Sequence, residues 1–261
     1  MTDADESAAP DERSALLILG LGLLAASTSA ILVRLAEAPA LVISAWRCSV
    51  AALVLAAWHR RALARQLPNL SPADLGWTLL AGLFLAAHFA TWIRSLELAS
   101  VSSAVFLVNT SPLWIGLLGP LLTGDRIRRT TALGLAVSLA GTAVIALGSG
   151  GGGQDTPAGL GLALAGALSV ALYMLVGRRV GSRVPLSTYL ILCYGIAALV
   201  LLALVGVTGQ PLLDHPPRTL GWLLALAAVP QLIGHSACNW ALRRLPAVFV
   251  SLAFLGEPLV A

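Results

Sequence analysis

The sequence predicts an all-α protein that crosses a membrane several times. Of its 261 residues, 58% are apolar and only 11% are charged, and the mean hydropathy is +0.88. Soluble domains are about half apolar and about a quarter charged, and disordered chains combine low hydrophobicity with many charges. The composition therefore excludes both classes. Apolar runs of about 20 residues, the length that spans a bilayer, recur between short polar breaks.

These runs predict eight complete helices and the start of a ninth. Acidic residues precede Arg13, which is the wrong charge for a secretory signal, so the first run is expected to remain as a span after an acidic cytoplasmic tail at 1–14. The ninth helix begins near Leu245, and the chain is expected to end within it. The predicted helices are 15–36, 40–58, 75–95, 100–122, 130–148, 158–177, 187–208 and 219–242.

The arginines predict an orientation. All sixteen basic residues are arginine, and cytoplasmic loops carry the excess of positive charge. With the N-terminus in the cytoplasm, twelve arginines fall on the cytoplasmic side and three on the other side. The twelve are Arg13, Arg60, Arg61, Arg65, Arg126, Arg128, Arg129, Arg178, Arg179, Arg183, Arg243 and Arg244; the three are Arg34, Arg94 and Arg218. The basic balance therefore indicates topology, and no nucleic-acid partner is expected.

An internal repeat relates the two halves of the chain. The run Ala51-Ala52-Leu53-Val54-Leu55 recurs as Ala197-Ala198-Leu199-Val200-Leu201 at an offset of 146 residues, and the same offset carries Pro112-Leu113 onto Pro258-Leu259. Five helices separate equivalent positions, so the second copy is inverted, as in many transporters. We expect a first repeat at 15–148, a Gly-rich linker at 149–157 and a second repeat at 158–261.

Three short motifs resemble the EamA-type family of the drug/metabolite transporter superfamily. They are Ala45-Trp46-Arg47, Thr110-Ser111-Pro112-Leu113 and Gly256-Glu257-Pro258-Leu259. The resemblance covers the chain from residue 15 onward. It implies a ten-helix carrier of two inverted five-helix repeats around a central substrate cavity, commonly exporting small metabolites across a bacterial inner membrane. Relative to that pattern, this sequence is expected to end within the ninth helix.

Polar side chains inside the apolar runs are the candidate substrate-binding residues, because such groups are expensive in hydrocarbon and mark solute pathways. Gln231, His235 and Asn239 are spaced four residues apart, which places them on one face of an α-helix. His88 and Trp92 lie one turn apart in the third helix. We expect these five residues to line a cavity near the membrane midplane. The alternative is that they only hold neighbouring helices together.

Four further residues have candidate roles. Arg47 lies near the middle of the second helix, where a charge needs a partner, and the candidate carboxylates are Glu97 and Glu257. A structural ion pair or carbonyl contact is favoured for Arg47, and Glu257 is a candidate for an ion pair or for cation coupling. Asn109, just before a proline, either lines the cavity or repairs the kinked backbone. Tyr173 either lines the cavity or bonds a neighbouring helix.

The leading functional hypothesis is a secondary transporter that exports an amino acid or a similar amphipathic solute by alternating access. An intramembrane enzyme that uses His88 and His235, and a non-transporting scaffold, are the alternatives. The three cysteines have neither zinc-site nor disulfide spacing, so neither a zinc site nor a disulfide framework is expected. No metal and no cofactor are expected. The expected partners are the lipid bilayer and a small-molecule substrate, and a homodimer is left open. The expected location is the bacterial inner membrane.

Overall fold

The computed structural model of the protein contains helices and no strands among the residues that it describes, which are 12–124, 129–148 and 155–255. Within these ranges seven helical spans are long and apolar enough to cross a bilayer. The predicted class, an all-α polytopic membrane protein, is therefore confirmed. Most of the predicted acidic tail, most of the Gly-rich linker and the motif that contains Glu257 lie outside the described residues.

The described helices follow the predicted order, with several spans divided into shorter segments. A π-helical segment, Ala227–His235, stands between the tenth and eleventh helices. In chain order the helices are α1 (Glu12–Ser27), α2 (Ser29–Ala36), α3 (Ala40–Gln66), α4 (Pro72–Leu98), α5 (Val101–Val108), α6 (Ser111–Leu122), α7 (Arg129–Gly148), α8 (Pro157–Val180), α9 (Leu186–Thr208), α10 (Pro217–Leu226), α11 (Ser236–Leu242) and α12 (Ala247–Ala253).

Three spans are interrupted near their middles. The first span breaks at Thr28, whose hydroxyl donates to the Ala25 carbonyl at 2.8 Å. The fourth span breaks between α5 and α6, where the Thr110 hydroxyl donates to the Leu107 carbonyl. The π segment contains Pro230, which cannot supply the α-helical N–H. Such breaks are tolerated within a membrane where side chains or a wet cavity satisfy the freed backbone groups.

Several helices extend beyond the predicted boundaries. The helix α3 is kinked at His59, directly after the predicted end at residue 58, and continues beyond the kink to Gln66. The helix α8 continues to Val180 past two arginines. Arginine is a good helix former, and its aliphatic stem covers apolar surface while its charge reaches water. Arginines that follow an apolar run can therefore continue the helical structure beyond it.

One end of the bundle carries most of the arginines, and these side chains tie the helix ends together. The Arg183 guanidinium pairs with Asp74 at 2.7 Å. Arg178 donates to the carbonyl of Leu242 at 3.2 Å, and Arg243 donates to the carbonyl of Val184 at 2.8 Å. We call this the arginine-rich end. The helix ends that these contacts join are all ones that the arginine count assigned to the cytoplasmic side.

The opposite end is closed by contacts to the loops before α5 and α8. Asp155 accepts hydrogen bonds from the Ser103 hydroxyl at 2.6 Å and from the Ser100 N–H at 2.7 Å. These two hydrogen bonds hold the pKa of Asp155 below its usual range, and the bond from Ser103 has the larger effect. This contribution to stability is present above the ordinary aspartate pKa and is lost as the pH falls through the lowered value. Thr156 also donates to the Leu98 carbonyl, at 2.9 Å.

The core is formed by pairs of helices from the two halves. The helix α3 packs against α9, α4 packs against α8 and α9, and α1 packs against the π segment and α11. A close approach of backbones occurs at Gly82 on α4, where an added Cβ would lie 2.8 Å from the Cys193 carbonyl and 2.8 Å from the Ile196 Cβ. Small residues allow such approaches between membrane helices.

We predict that Gly82→Ala destabilises the protein by about 1–3 kcal/mol, because the methyl group overpacks the α4–α9 contact. Gly76→Ala is the matched control, since it lies on the same helix with no atom within 4 Å of the added Cβ. Thermal unfolding in detergent measures both variants. Equal unfolding temperatures for the two variants would contradict the close packing of α4 on α9.

Candidate functional site

Arg47 is completely buried in the middle of the bundle, and neighbouring spans hold it by side-chain contacts. Its Nε donates to Gln231 Oε1 of the π segment at 3.1 Å, and its Nη1 donates to Ser29 Oγ of α2 at 3.0 Å. Its guanidinium carbon lies 4.0 Å from the ring centre of Phe89 on α4, in cation–π geometry. The charge therefore joins α2, α3, α4 and the π segment.

Aromatic rings connect Arg47 to the two histidines. The Phe89 ring that contacts Arg47 also meets His235 edge to face, with ring centres 5.2 Å apart. His88 stacks parallel to Trp92 at 5.8 Å. The Nδ1 of His88 lies 3.0 Å from the Gly166 carbonyl of α8. A carbonyl only accepts, so this nitrogen carries the hydrogen and the neutral ring keeps Nε2 as an acceptor.

A cavity lies beside this cluster, between the two halves of the chain. Six of the seven predicted substrate-binding residues line it, together with serines and apolar side chains. Its volume of about 60 Å³ is well below the 300–1,000 Å³ or so of typical small-molecule sites. In this conformation the cavity has room for only a few water-sized molecules. The predicted residues that line it are His88, Trp92, Asn109, Tyr173, His235 and Asn239.

The cavity wall carries polar atoms that have no hydrogen-bond partner in the described part of the chain. They are the indole N–H of Trp92, the side-chain NH₂ of Asn109 and the side-chain oxygen of Asn239, and all three are buried. The NH₂ of Asn239 is already used, because it donates to the Tyr173 hydroxyl and to the His235 carbonyl. Unsatisfied buried groups cost about 1–3 kcal/mol each. Two donors and one acceptor are thus available to a ligand.

The break between α5 and α6 explains why Asn109 is available. At this break the Thr110 hydroxyl satisfies the Leu107 carbonyl, and the Asn109 N–H bonds the Val105 carbonyl. The backbone is therefore repaired without the Asn109 side chain. The Asn109 side chain lies in the cavity wall.

A family model described as the EamA-like transporter family matches residues 13–147 and 157–261. The chain belongs to the EamA-like transporter family. One solved crystal structure superposes with a TM-score of 0.76 at 24% sequence identity, over 95% of this chain and 85% of its own. At this identity the likeness shows the fold alone. No curated protein matches this chain.

Two predicted contacts of this EamA-like chain differ from the structure. Gln231 does not line the cavity and bonds Arg47 instead. The prediction assumed α-helical spacing, but π winding changes the direction of Gln231 relative to His235. Glu97 is not the partner of Arg47, because it accepts from the Ala40 N–H at 2.9 Å and pairs with Arg94. The pairing of Arg47 with Glu257 lies outside the described residues and stays a prediction.

Sequence reasoning missed two residues of the site. Ser29 binds Arg47 and lines the cavity, and Phe89 joins Arg47 to His235. Ser29 had a usable signal, because Ser27-Thr28-Ser29 interrupts the first apolar run. Phe89 had none, since an aromatic residue in an apolar helix is ordinary. No group of three His, Cys, Asp or Glu side chains comes together for a metal within the described ranges.

We predict that Gln231→Ala lowers the free energy of unfolding by about 1–3 kcal/mol, because it leaves the buried Arg47 Nε–H without an acceptor. Denaturant titration in detergent, followed by circular dichroism, measures the change. The control is Gln210→Ala, whose side-chain oxygen has no partner in the described part of the protein. A Gln231 variant as stable as the control would contradict the role assigned to this bond.

Proposed function

We propose that this EamA-like protein is a secondary transporter that exports a small amphipathic metabolite, such as an amino acid, by alternating access. The arginine-rich end faces the cytoplasm in this proposal, since cytoplasmic loops carry the excess of arginine. The membrane is the bacterial inner membrane. The observation that supports the proposal is the cavity between the two halves of the chain. Its wall contains buried hydrogen-bond donors and an acceptor that have no partner in the described part of the chain.

The polar atoms of the cavity favour a solute with at least two hydrogen-bond acceptors and one donor. Trp92 and Asn109 offer N–H groups, which suit the oxygens of a carboxylate or an amide. The Asn239 oxygen and the Nε2 of a neutral His88 accept from an amine or a hydroxyl. The apolar wall, which includes Met174 and Phe254, suits a hydrocarbon side chain.

Matched burial supports the inverted repeat on which alternating access depends. Ala51 and its equivalent Ala197 are both fully buried, whereas Leu53 and Leu199 are 69% and 65% exposed toward the lipid side. Packing is paired in the same way: α4 lies on α8, and the π segment and α11 lie on α1. In an inverted repeat these two contacts are equivalent, because each joins the third helix of one half to the first helix of the other.

The two histidines extend this correspondence. His88 and His235 are 147 residues apart, one more than the repeat offset, and the same shift relates Trp92 to Asn239. A π turn commonly marks a local insertion within an α-helix, and such turns are frequent at functional sites. The π segment that ends at His235 is the place where one extra residue fits, and the offset is again 146 residues at Pro258. Each half then contributes a histidine and a hydrogen-bonding residue four positions later.

Efflux from liposomes tests the transport hypothesis. The purified full chain is reconstituted, the vesicles are loaded with a mixture of amino acids, and the released solutes are measured by mass spectrometry. We expect at least one solute to leave faster than from protein-free vesicles. No accelerated efflux of any solute, from protein that is folded by circular dichroism, would contradict the proposal.

The cavity residues are tested in the same assay with matched controls. We expect His235→Ala and Asn239→Ala to reduce efflux at least tenfold, because each removes a polar group from the cavity wall. His215→Ala and Asn69→Ala are the controls, since Asn69 is exposed, His215 is half-buried outside the cavity, and both bond only nearby carbonyls. Efflux by the cavity variants at the control level would assign these residues to packing.

Trp92→Phe separates solute binding from structural support. It removes the indole N–H, which has no protein partner in the described chain, and keeps an aromatic ring beside His88. We expect the KM for the transported solute to rise about tenfold, because the variant loses one hydrogen bond worth about 1.4 kcal/mol. We expect little change in the unfolding temperature. A lower unfolding temperature with an unchanged KM would contradict the binding role.

A further inference from the structure

A second, larger cavity lies at the arginine-rich end, separate from the central one. Its volume is about 840 Å³, and it is an open cavity lined by the start of α4, the end of α6 and the end of α8. Three arginines and one aspartate are the charged side chains among the described residues that line it. They are Arg178, Arg179, Arg183 and Asp74. We call it the basic cavity, because the charged side chains that line it in the described part of the chain are predominantly positive.

Two of these guanidinium groups are held in place and keep donors available. Arg183 uses its Nε to bond Asp74 at 2.7 Å, and the second oxygen of Asp74 accepts from the Ser71 hydroxyl at 2.8 Å. Arg179 uses one Nη to bond the Leu122 carbonyl at 2.6 Å and lies over the Trp77 ring at 4.7 Å. Each guanidinium carries five N–H groups. The remaining donors suit a group with several oxygens, such as a phosphate.

The basic cavity adjoins the lipid-facing side of α6. Leu113, Leu117 and Leu121 are spaced four residues apart along this helix and are 47%, 67% and 79% exposed. Leu121 also lines the basic cavity. A row of exposed leucines therefore runs from the cavity along the membrane-spanning surface. Trp77 belongs to the residue type that is enriched where a membrane meets water.

We propose that the basic cavity binds the phosphate of an anionic phospholipid, whose acyl chain lies along the leucines of α6. Arg179 and Arg183 supply charge-assisted hydrogen bonds to the phosphate. The exposed leucines favour a lipid over a soluble phosphate, because a soluble anion gains nothing from them. Basic pockets between membrane helices are known sites for lipid head groups. This inference requires a membrane-embedded chain and does not depend on the proposed transport activity.

Lipid binding to the purified full chain in detergent tests the proposal. The probes are phosphatidylglycerol and phosphatidylcholine with identical acyl chains, and native mass spectrometry counts the bound lipids. We expect phosphatidylglycerol to bind in preference to phosphatidylcholine, and the preference to fall as salt is raised. Equal retention of the two lipids would overturn the proposal.

Variants locate the lipid at this cavity. Arg179→Gln and Arg183→Gln are each expected to weaken phosphatidylglycerol binding about fivefold, the contribution of one arginine near a lipid surface. Arg244→Gln is the matched control, since Arg244 also stacks on a tryptophan and bonds a carbonyl but does not line the cavity. Wild-type binding by both cavity variants would overturn the proposal. If Arg183→Gln does not fold, Arg179→Gln alone decides.

Glycerol 3-phosphate distinguishes a lipid from a free anion. It carries the phosphate without acyl chains, so we expect millimolar concentrations not to raise the unfolding temperature and not to displace phosphatidylglycerol. Full competition by glycerol 3-phosphate would show an anion site that does not use the α6 leucines, and would overturn the lipid assignment.

Discussion

The burial of one cation, Arg47, constrains the centre of this protein. An arginine in the middle of a membrane helix costs about 2.5–3.5 kcal/mol on insertion scales unless it is satisfied. Here Ser29 and Gln231 accept its hydrogen bonds, and the Phe89 ring faces its guanidinium. These partners come from three different spans. Satisfying one charge therefore fixes the relative positions of α2, α4 and the π segment around α3.

The geometry of the cavity follows from that fixed centre. Phe89 contacts Arg47 with its face and His235 with its edge, so the charge and the cavity wall share one ring. The π turn lets Gln231 reach Arg47 while His235 and Asn239 line the cavity. The unpaired polar atoms of the cavity wall thus lie around a small volume beside this fixed centre.

Much of the fold was predictable because a bilayer requires apolar helices of about 20 residues and makes polar side chains within them costly. The lengths of the apolar runs and the positions of the arginines between them predicted the helices. The few polar residues within the runs predicted six of the residues that line the cavity. The errors arose where local geometry departs from α-helical spacing or where a charge has a nearby alternative. Gln231 was predicted to line the cavity, but the π turn directs its side chain to Arg47. Glu97 was a candidate partner of Arg47, but it pairs with Arg94 and accepts from the Ala40 N–H. Phe89 was missed because its role depends on tertiary packing.

The most direct test of the account is the accessibility of Cys238, which lines the central cavity and is buried. In a variant that keeps Cys238 and replaces Cys48 and Cys193 by alanine, a membrane-impermeant thiol reagent is applied from each side of the membrane in turn. Alternating access predicts labelling from both sides and protection by the transported solute. Labelling from one side only, or from neither, would contradict it.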